Sequence, residues 1–164
     1  MPTFAVSIGL LKDHEPILGI VYQVMTNDIY HAEKNKGAYL NGKKISVSST
    51  QNLDDAVIGI DLGHKTTRPR KIKTYVLPLI NLVNYCYSIG SDALILAMVG
   101  RGIFDCFAND DNIWDCIAGI LIIKEAGGKV TDLGGEEIDW NKKRITWVAS
   151  NGLIHSQILE QLKH

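Results

Sequence analysis

Trp114-Asp115 is the place in this sequence where residue types and spacing most clearly indicate chemistry. Asp115 is followed by a run from Cys116 to Ile123 that contains no charged residue. A helix that is apolar on every face is buried on every face, so the run predicts an internal helix that begins at Asp115 and ends at Gly127-Gly128. The first backbone N–H groups of a helix are unpaired and partly positive. They favour an anion or, through a bridging metal, a phosphate.

The residues alone leave two interpretations of Asp115 open. It caps the helix, as most Asp residues at helix starts do, or its carboxylate also binds a metal ion. Nearby Asp110 and Asp111 predict a solvated turn, because two adjacent loop residues point in different directions. Three more acidic residues would approach this place only through folding: Glu33, Asp61 and Asp132.

Three short segments lie on and beside the predicted helix: Trp114-Asp115, Ala118-Gly119 and Glu125-Ala126-Gly127-Gly128. They resemble the C-terminal signature of the inositol monophosphatase family, whose members are magnesium-dependent, lithium-sensitive sugar-phosphate phosphatases. Earlier segments match in order and spacing: Ser7-Ile8-Gly9-Leu10, Glu15-Pro16, Leu18-Gly19-Ile20-Val21-Tyr22 and Gly37-Ala38-Tyr39-Leu40-Asn41-Gly42. The resemblance implies that Asp115 is a metal ligand, with Mg²⁺ as the cofactor.

The resemblance also implies a substrate-binding segment. Gly90, Ser91, Asp92 and Ala93 are similar to the family's Gly-Ser/Thr-Ala-Ala segment, which contacts the sugar ring. From the residues alone, Ser91 caps a helix, and both roles can hold together. Two departures weaken the expected substrate contact. Asp92 replaces a small residue, and Ala108-Asn109 stands where many members carry a Glu that binds a ring hydroxyl.

Metal-assisted hydrolysis of a phosphate monoester requires several carboxylates that converge on two or more Mg²⁺ ions. In the family most of them come from a Gly-Glu-x-x-Glu segment and from Asp-Pro-Ile-Asp-Gly-Thr, closely followed by Asn-Phe. Neither motif occurs in these 164 residues. The chain is therefore expected to correspond to the later part of a family member, truncated at its N-terminal side. It is expected to bind Mg²⁺ weakly and to have little or no phosphatase activity alone.

The distribution of strands and helices predicts an α+β fold with an α/β portion. Apolar segments at residues 4–11, 17–24, 29–32, 38–40 and 43–48, joined by tight turns, indicate an antiparallel meander. Further strands are expected at 54–60, 85–88, 103–107, 129–131 and 145–150, a polar loop at 108–112, and helices at 71–83, 92–99 and 153–163. We expect an antiparallel β-sheet portion at residues 1–60 and an α/β portion with the Trp-Asp helix at 61–164. The resemblance implies a layered α/β sandwich of the inositol monophosphatase and fructose-1,6-bisphosphatase type.

Composition narrows the partners. A net charge of −1 gives no reason to expect nucleic acid or an anionic membrane. No apolar run approaches the ~20 residues that span a bilayer, and the N-terminus lacks a secretory signal. Three cysteines without Cys-x-x-Cys spacing predict buried thiols in a reducing compartment, by default the cytoplasm.

The five histidines are predicted at the surface. The basic cluster of Lys65, Arg68, Arg70 and Lys71 predicts a solvated loop or, alternatively, an electrostatic lure for a phosphorylated substrate.

Three hypotheses of function remain open. The chain is a phosphatase of the inositol monophosphatase type, a catalytically silent remnant that acts as an oligomerisation module, or one half of a split enzyme. The expected substrate is a small-molecule phosphate ester. Inositol phosphates, nucleotide-derived bisphosphates and fructose bisphosphate are all processed by relatives, and the C-terminal signature favours inositol monophosphate. Uncovered apolar sheet surface predicts a homo-oligomer or a complex with a missing N-terminal half.

Overall fold

The computed structural model describes residues 3–163, and it begins with an antiparallel meander. The strands are β1 (Ala5–Lys12), β2 (Glu15–Gln23), β3 (Asp28–Glu33), β4 (Gly37–Leu40) and β5 (Lys43–Lys44), each paired with the next in sequence. Asp13-His14 and Asn41-Gly42 turn the chain with positive φ at both residues, the geometry that matches the twist of a two-residue hairpin. The predicted meander is confirmed, although its last strand is shorter than expected.

A second five-stranded sheet follows. Its strands are β6 (Val57–Gly59), β7 (Tyr85–Tyr87), β8 (Cys106–Asn112), β9 (Lys129–Thr131) and β10 (Arg144–Ser150), in the order β7-β6-β8-β10-β9. β6 runs parallel to β7 and β8, whereas β10 is antiparallel to both its neighbours. The predicted loop at 108–112 is wrong. These residues continue β8, because β10 pairs with them along its whole length, from Cys106 opposite Ser150 to Asn112 opposite Arg144.

Four α-helices and a short 3-10 helix at Leu53–Asp55 complete the fold of the described residues. The α-helices are numbered in chain order. They are α1 (Arg68–Lys71), α2 (Asp92–Gly100), α3 (Ile113–Glu125) and α4 (His155–Leu162). α1 continues as a π-helical turn over Ile72–Val76, so this segment begins earlier than predicted and ends two residues before Pro78. Within residues 3–163, no helix is long and apolar enough to cross a membrane.

The two central helices lie between the sheets and share most of the core. α3 packs against both sheets, and every residue from Cys116 to Ile123 is buried, as its sequence predicts. Gly127 has a φ of 89°, and the N–H groups of Gly127 and Gly128 donate to the carbonyls of Lys124 and Ile123, which ends the helix as expected. The molecule is thus a layered α+β sandwich. The division of the chain at residue 60 into two portions stays a prediction.

One face of the first sheet is not covered by the described residues. Val6, Ile8 and Leu10 project from β1 on that face and are 49%, 52% and 50% exposed. Gly9 lies between them on the opposite face, where a Cβ would lie 2.3 Å from the side chain of Ile117 on α3. An apolar row of this length on one strand is unusual for a free surface.

Candidate active site

A cavity of about 700 Å³ brings together the residues that the sequence analysis singled out. Asp115 and all four residues from Gly90 to Ala93 line it. Four carboxylates share its wall, and they are contributed by Asp61, Asp92, Asp111 and Asp115. Residues that are distant in sequence therefore meet here, including Ala5 and Ser7 of β1.

Asp115 reaches the cavity from the first turn of α3. The helix begins at Ile113 and not at Asp115, and Asn112 occupies its N-cap position, so of the two interpretations of Asp115 the helix cap is wrong. Asp115 is the third helical residue, where a carboxylate is still favoured by the helix dipole. Its Oδ2 lies 3.5 Å from Nδ2 of Asn112. Burial and then the nearby charge of Asp111 raise the pKa of Asp115.

The segment Gly90–Ala93 forms the turn into α2. Gly90 has a φ of 69°, a left-handed conformation that glycine adopts without cost. Ser91 occupies the N-cap position of α2, but its hydroxyl makes no capping hydrogen bond. The position of the predicted cap is therefore confirmed, whereas its expected hydrogen bond is not formed.

Asp92 is tied to β8 through Asn109, a residue that is completely buried. Nδ2 of Asn109 donates to Oδ2 of Asp92 at 2.8 Å and to Oδ2 of Asp61 at 3.3 Å. Burial, reinforced by the charge of Asp61, raises the pKa of Asp92 to about 7. The sequence indicated only that Asn109 replaces a family Glu. The structure adds that its amide cross-links two carboxylates of the cavity.

Lys71 also reaches the cavity, and the prediction that it belongs to a solvated loop is wrong. Its side chain is 3% exposed, and its ammonium group contacts Oδ2 of Asp61 and lies 3.7 Å from Oδ2 of Asp111. Burial acts to raise the pKa of Asp61, but hydrogen bonds from Lys71 and from the backbone N–H of Gly63 lower it below its ordinary value. No local sequence pattern separates the buried Lys71 from the exposed Lys73 two residues later.

Asp110 is buried in ion pairs, so the predicted solvated turn is wrong for this residue too. Its carboxylate lies 2.7 Å from the guanidinium of Arg70 and 2.9 Å from that of Arg144. Burial acts to raise its pKa, while the hydrogen bonds from Arg70, Tyr75 and Arg144 bring the pKa below its usual value. Asp110 therefore joins α1 to β8 and β10 and supports the cavity wall from behind.

Magnesium requires several oxygen ligands in octahedral array. Across residues 3–163, no three His, Cys, Asp or Glu side chains are grouped so that they could hold a metal ion. Asp61 already accepts from Lys71, Asn109 and Gly63, and Asp111 accepts from the backbone and side chain of Asn112 at 2.9 and 3.1 Å. The residues that the structure describes do not by themselves fit a magnesium centre. Asp115 as one ligand stays a prediction.

Two other groups of titratable residues do not line the cavity. Cys106 and Cys116 are buried free thiols, as predicted, and Cys86 is partly buried. His155 is 1% exposed, so its predicted surface position is wrong. It lies between Ser150 and Thr131, with Nδ1 2.8 Å from one hydroxyl and Nε2 2.9 Å from the other. His164 lies outside the described residues.

Comparison with known proteins shows which family the chain belongs to. The family model for the inositol monophosphatase family matches residues 1–164. The chain belongs to the inositol monophosphatase family. An inositol-1-monophosphatase from Caulobacter vibrioides is 35% identical over 99% of the chain and 65% of its own length. A fructose-1,6-bisphosphatase/inositol-1-monophosphatase from Thermotoga maritima is 33% identical over 98% of the chain and 60% of its own length.

The fold agrees with this membership. The solved structure of the extragenic suppressor protein suhB from Bartonella henselae is 33% identical, with a TM-score of 0.90 over 99% of this chain and 62% of that one. The chain thus spans less than two thirds of the length of the family members that it matches. The layered sandwich expected from the sequence is confirmed.

Proposed function

We propose that this chain provides the substrate-binding part and one metal ligand of a metal-dependent phosphomonoester hydrolase. Its substrate would be inositol monophosphate or a related sugar phosphate, and Mg²⁺ its cofactor. One observation carries the proposal: Asp115 and the segment Gly90–Ala93 line the same cavity, although they lie on different helices. The Caulobacter relative, named as an inositol-1-monophosphatase, supports the choice of substrate class.

The residues of the cavity suit a polyol better than a flat or apolar ligand. The carboxylate of Asp92 accepts a hydrogen bond, and the hydroxyl of Ser91 both donates and accepts, so together they can bind neighbouring ring hydroxyls. Asn109 fixes the orientation of Asp92 at 2.8 Å. Asp115 lies in the first turn of α3, where the helix dipole favours a bound anion beside it. Bound metal ions would supply activated water and neutralise the ester's charge.

We further propose that the chain alone has little or no phosphatase activity. Asp61 and Asp111 are engaged by hydrogen-bond donors of the chain, which leaves Asp115 as the least engaged of the four cavity carboxylates that could become a ligand. A single carboxylate does not replace the hydration shell of Mg²⁺, which that ion gives up reluctantly. The missing carboxylates would come from a second polypeptide or segment that carries the family's Gly-Glu-x-x-Glu and Asp-Pro-Ile-Asp-Gly-Thr motifs.

A second candidate function is favoured by the uncovered face of the first sheet. Val6, Ile8 and Leu10 form a half-exposed apolar row that is suited to association. A catalytically silent chain would use this face as an oligomerisation module, whereas one half of a split enzyme would use it to bind the other half. The three free cysteines support a reducing, cytoplasmic environment in either case.

Release of phosphate from inositol 1-phosphate in the presence of Mg²⁺ tests the proposal. We expect none above background from the purified chain, and measurable release when a polypeptide with the two missing motifs is added. Asp115→Asn should reduce the restored rate at least about 100-fold, because a metal ligand is lost. Glu160→Gln, an exposed carboxylate-to-amide change on α4, should leave the rate unchanged.

The possible outcomes separate the candidates. Turnover by the wild-type chain alone that is lost in Asp115→Asn would overturn the proposed inactivity. A stable complex that releases no phosphate would contradict the phosphatase proposal and favour the oligomerisation module.

A further inference from the structure

We infer that the ammonium group of Lys71 is the resident cation of the cavity and that it keeps divalent cations away from Asp61 and Asp111. The inference concerns the site of the proposed function but not its catalytic activity. It explains how four carboxylates share one cavity in the chain by itself. It also makes metal binding depend on a side chain outside the resemblance to the family.

The position of Lys71 is built into the fold. Lys71 ends α1 and is 2% exposed, whereas Lys73, two residues later, is exposed. Its aliphatic stem passes Gly63, where a Cβ would lie only 2.9 Å from Cδ of Lys71. Gly63 has a φ of 61°, so the absence of a side chain serves both the turn and the passage of the lysine stem. The ammonium group is therefore held inside the cavity wall.

The contacts of Lys71 match those of a bound cation. Its Nζ contacts Oδ2 of Asp61, and Oδ2 of Asp111 lies 3.7 Å away. Among the described residues, Arg144 and His64 are the other basic side chains that line the cavity. The Nε and Nη2 atoms of Arg144 donate to Asp110 at 3.0 and 2.9 Å. Lys71 is thus the cation that neutralises these two carboxylates.

A divalent cation at Asp61 or Asp111 would meet this fixed positive charge within a few ångströms. Charge repulsion at such a distance in a partly desolvated site is large compared with the binding energy of a loosely held ion. The backbone and amide N–H donors on Asp61 and Asp111 also point at the lone pairs that a metal would need. Because Lys71 is covalently attached, it does not dissociate as a competing ion would.

Titration of the full chain with Mn²⁺, followed by the electron paramagnetic resonance of the free ion, tests the inference without any substrate. Mn²⁺ takes the same carboxylate ligands as Mg²⁺. We expect a wild-type Kd weaker than about 1 mM, in the range of the loosest oxygen-ligand sites. Lys71→Met should bind Mn²⁺ at least about tenfold more tightly, because the repelling charge is removed. The matched control Lys73→Met, on the same helical segment, should behave as wild type.

Two further variants locate the bound ion and keep the test informative if Lys71→Met does not fold. Adding Asp111→Asn to Lys71→Met should abolish the gain in affinity. If Lys71→Met alone fails to fold, Lys71→Met with Asp61→Asn removes both charges of the ion pair and should still bind Mn²⁺ more tightly than wild type.

A wild-type Kd in the micromolar range overturns the inference, as does a folded Lys71 variant with unchanged or weaker affinity. Either result leaves the phosphate-release experiment unaffected, since that experiment concerns the complemented enzyme. Conversely, a failure of complementation does not alter the Mn²⁺ affinities of the chain alone.

Discussion

Gly19 of β2 lies directly against the backbone of Ala118 in α3. A Cβ built on Gly19 would lie 2.6 Å from the carbonyl oxygen and 2.9 Å from Cα of Ala118. Because both atoms belong to a helix backbone that is packed between two sheets, neither can move aside as a flexible side chain would. This contact sets the distance between the first sheet and the helix that carries Asp115.

Gly19→Ala should therefore lower the free energy of unfolding by about 1–3 kcal/mol, the usual cost of overpacking a core. Urea denaturation monitored by circular dichroism measures the change. Gly134→Ala is a suitable control, because only the side-chain carboxylate of Asp132 lies near its Cβ, with the nearest oxygen at 3.2 Å. Equal stability of the two variants would show that β2 and α3 can separate without cost.

His155 should make stability depend on pH. Thr131 donates its hydroxyl to the carbonyl of Asp132 and so accepts from Nε2–H of His155, while Ser150 accepts from Gly152 N–H and donates to Nδ1. This network holds the neutral ring. Burial, with a smaller contribution from the charge of Lys129, lowers the pKa of His155 from 6.5 to about 4.

Between these two values the unfolded chain binds a proton that the folded chain does not. The contribution of His155 is therefore complete above about pH 6.5 and is lost as the pH falls toward 4, by up to about 3 kcal/mol. Urea denaturation at several pH values, compared with His155→Gln, isolates this contribution. The exposed His64→Gln serves as the control. An identical pH dependence in wild type and His155→Gln would contradict the network.

Asp92 should make stability depend on pH in the opposite direction to His155. Burial raises its pKa from 3.8 to about 7, so between these values the folded chain binds the extra proton and stability falls as the pH rises. Asp92→Asn removes the buried charge and keeps an oxygen that can accept from Asn109. The variant should be about 1–2 kcal/mol more stable than wild type at pH 8 and nearly equal at pH 4. A loss of stability at pH 8 would show that the ionised carboxylate is well solvated.

The apolar row on β1 should control association. We expect wild type to sediment as an oligomer at micromolar concentration, because Ile8 and Leu10 are about half exposed on an uncovered sheet face. Ile8→Lys with Leu10→Lys should shift the chain to a monomer in analytical ultracentrifugation. Leu77→Lys, which changes an equally exposed leucine elsewhere, should not. A monomeric wild-type chain would count against this interface.

The parts of the fold that were predicted correctly carry local signals. Asn41-Gly42 predicts its hairpin because both residues tolerate positive φ, and Gly127-Gly128 predicts the end of α3 for the same reason. The run from Cys116 to Ile123 contains no charged residue, so its burial can be predicted without knowing what it packs against. Each of these features is decided by a few neighbouring residues.

The errors concern polar residues whose burial depends on distant partners. Asp110 was expected in a solvated turn, but Arg70 and Arg144 neutralise it from 40 and 34 residues away. Lys71 is neutralised by Asp61, and both ring nitrogens of His155 are hydrogen-bonded to hydroxyl groups. From a single sequence such residues are predicted to be exposed, because the neighbouring residues do not indicate which distant group will pair with them. The residues of the candidate site that belong to a local family motif were predicted. Those that folding brings together from distant parts of the sequence were missed.

The half-exposed row on β1 also has a consequence for the life of the protein in a cell. Chaperones and proteases continually act on the unfolded fraction of a protein, so a loss of about 1–2 kcal/mol of stability lowers its abundance several-fold. A partner that covers the apolar row would supply stability of this kind. Copies made in excess of whatever shields this sheet would be cleared, and the steady-state amount would follow the supply of the shielding molecule. The amount of this protein in the cell would thus be limited by the amount of the molecule that covers the sheet, and not by the rate of its own synthesis.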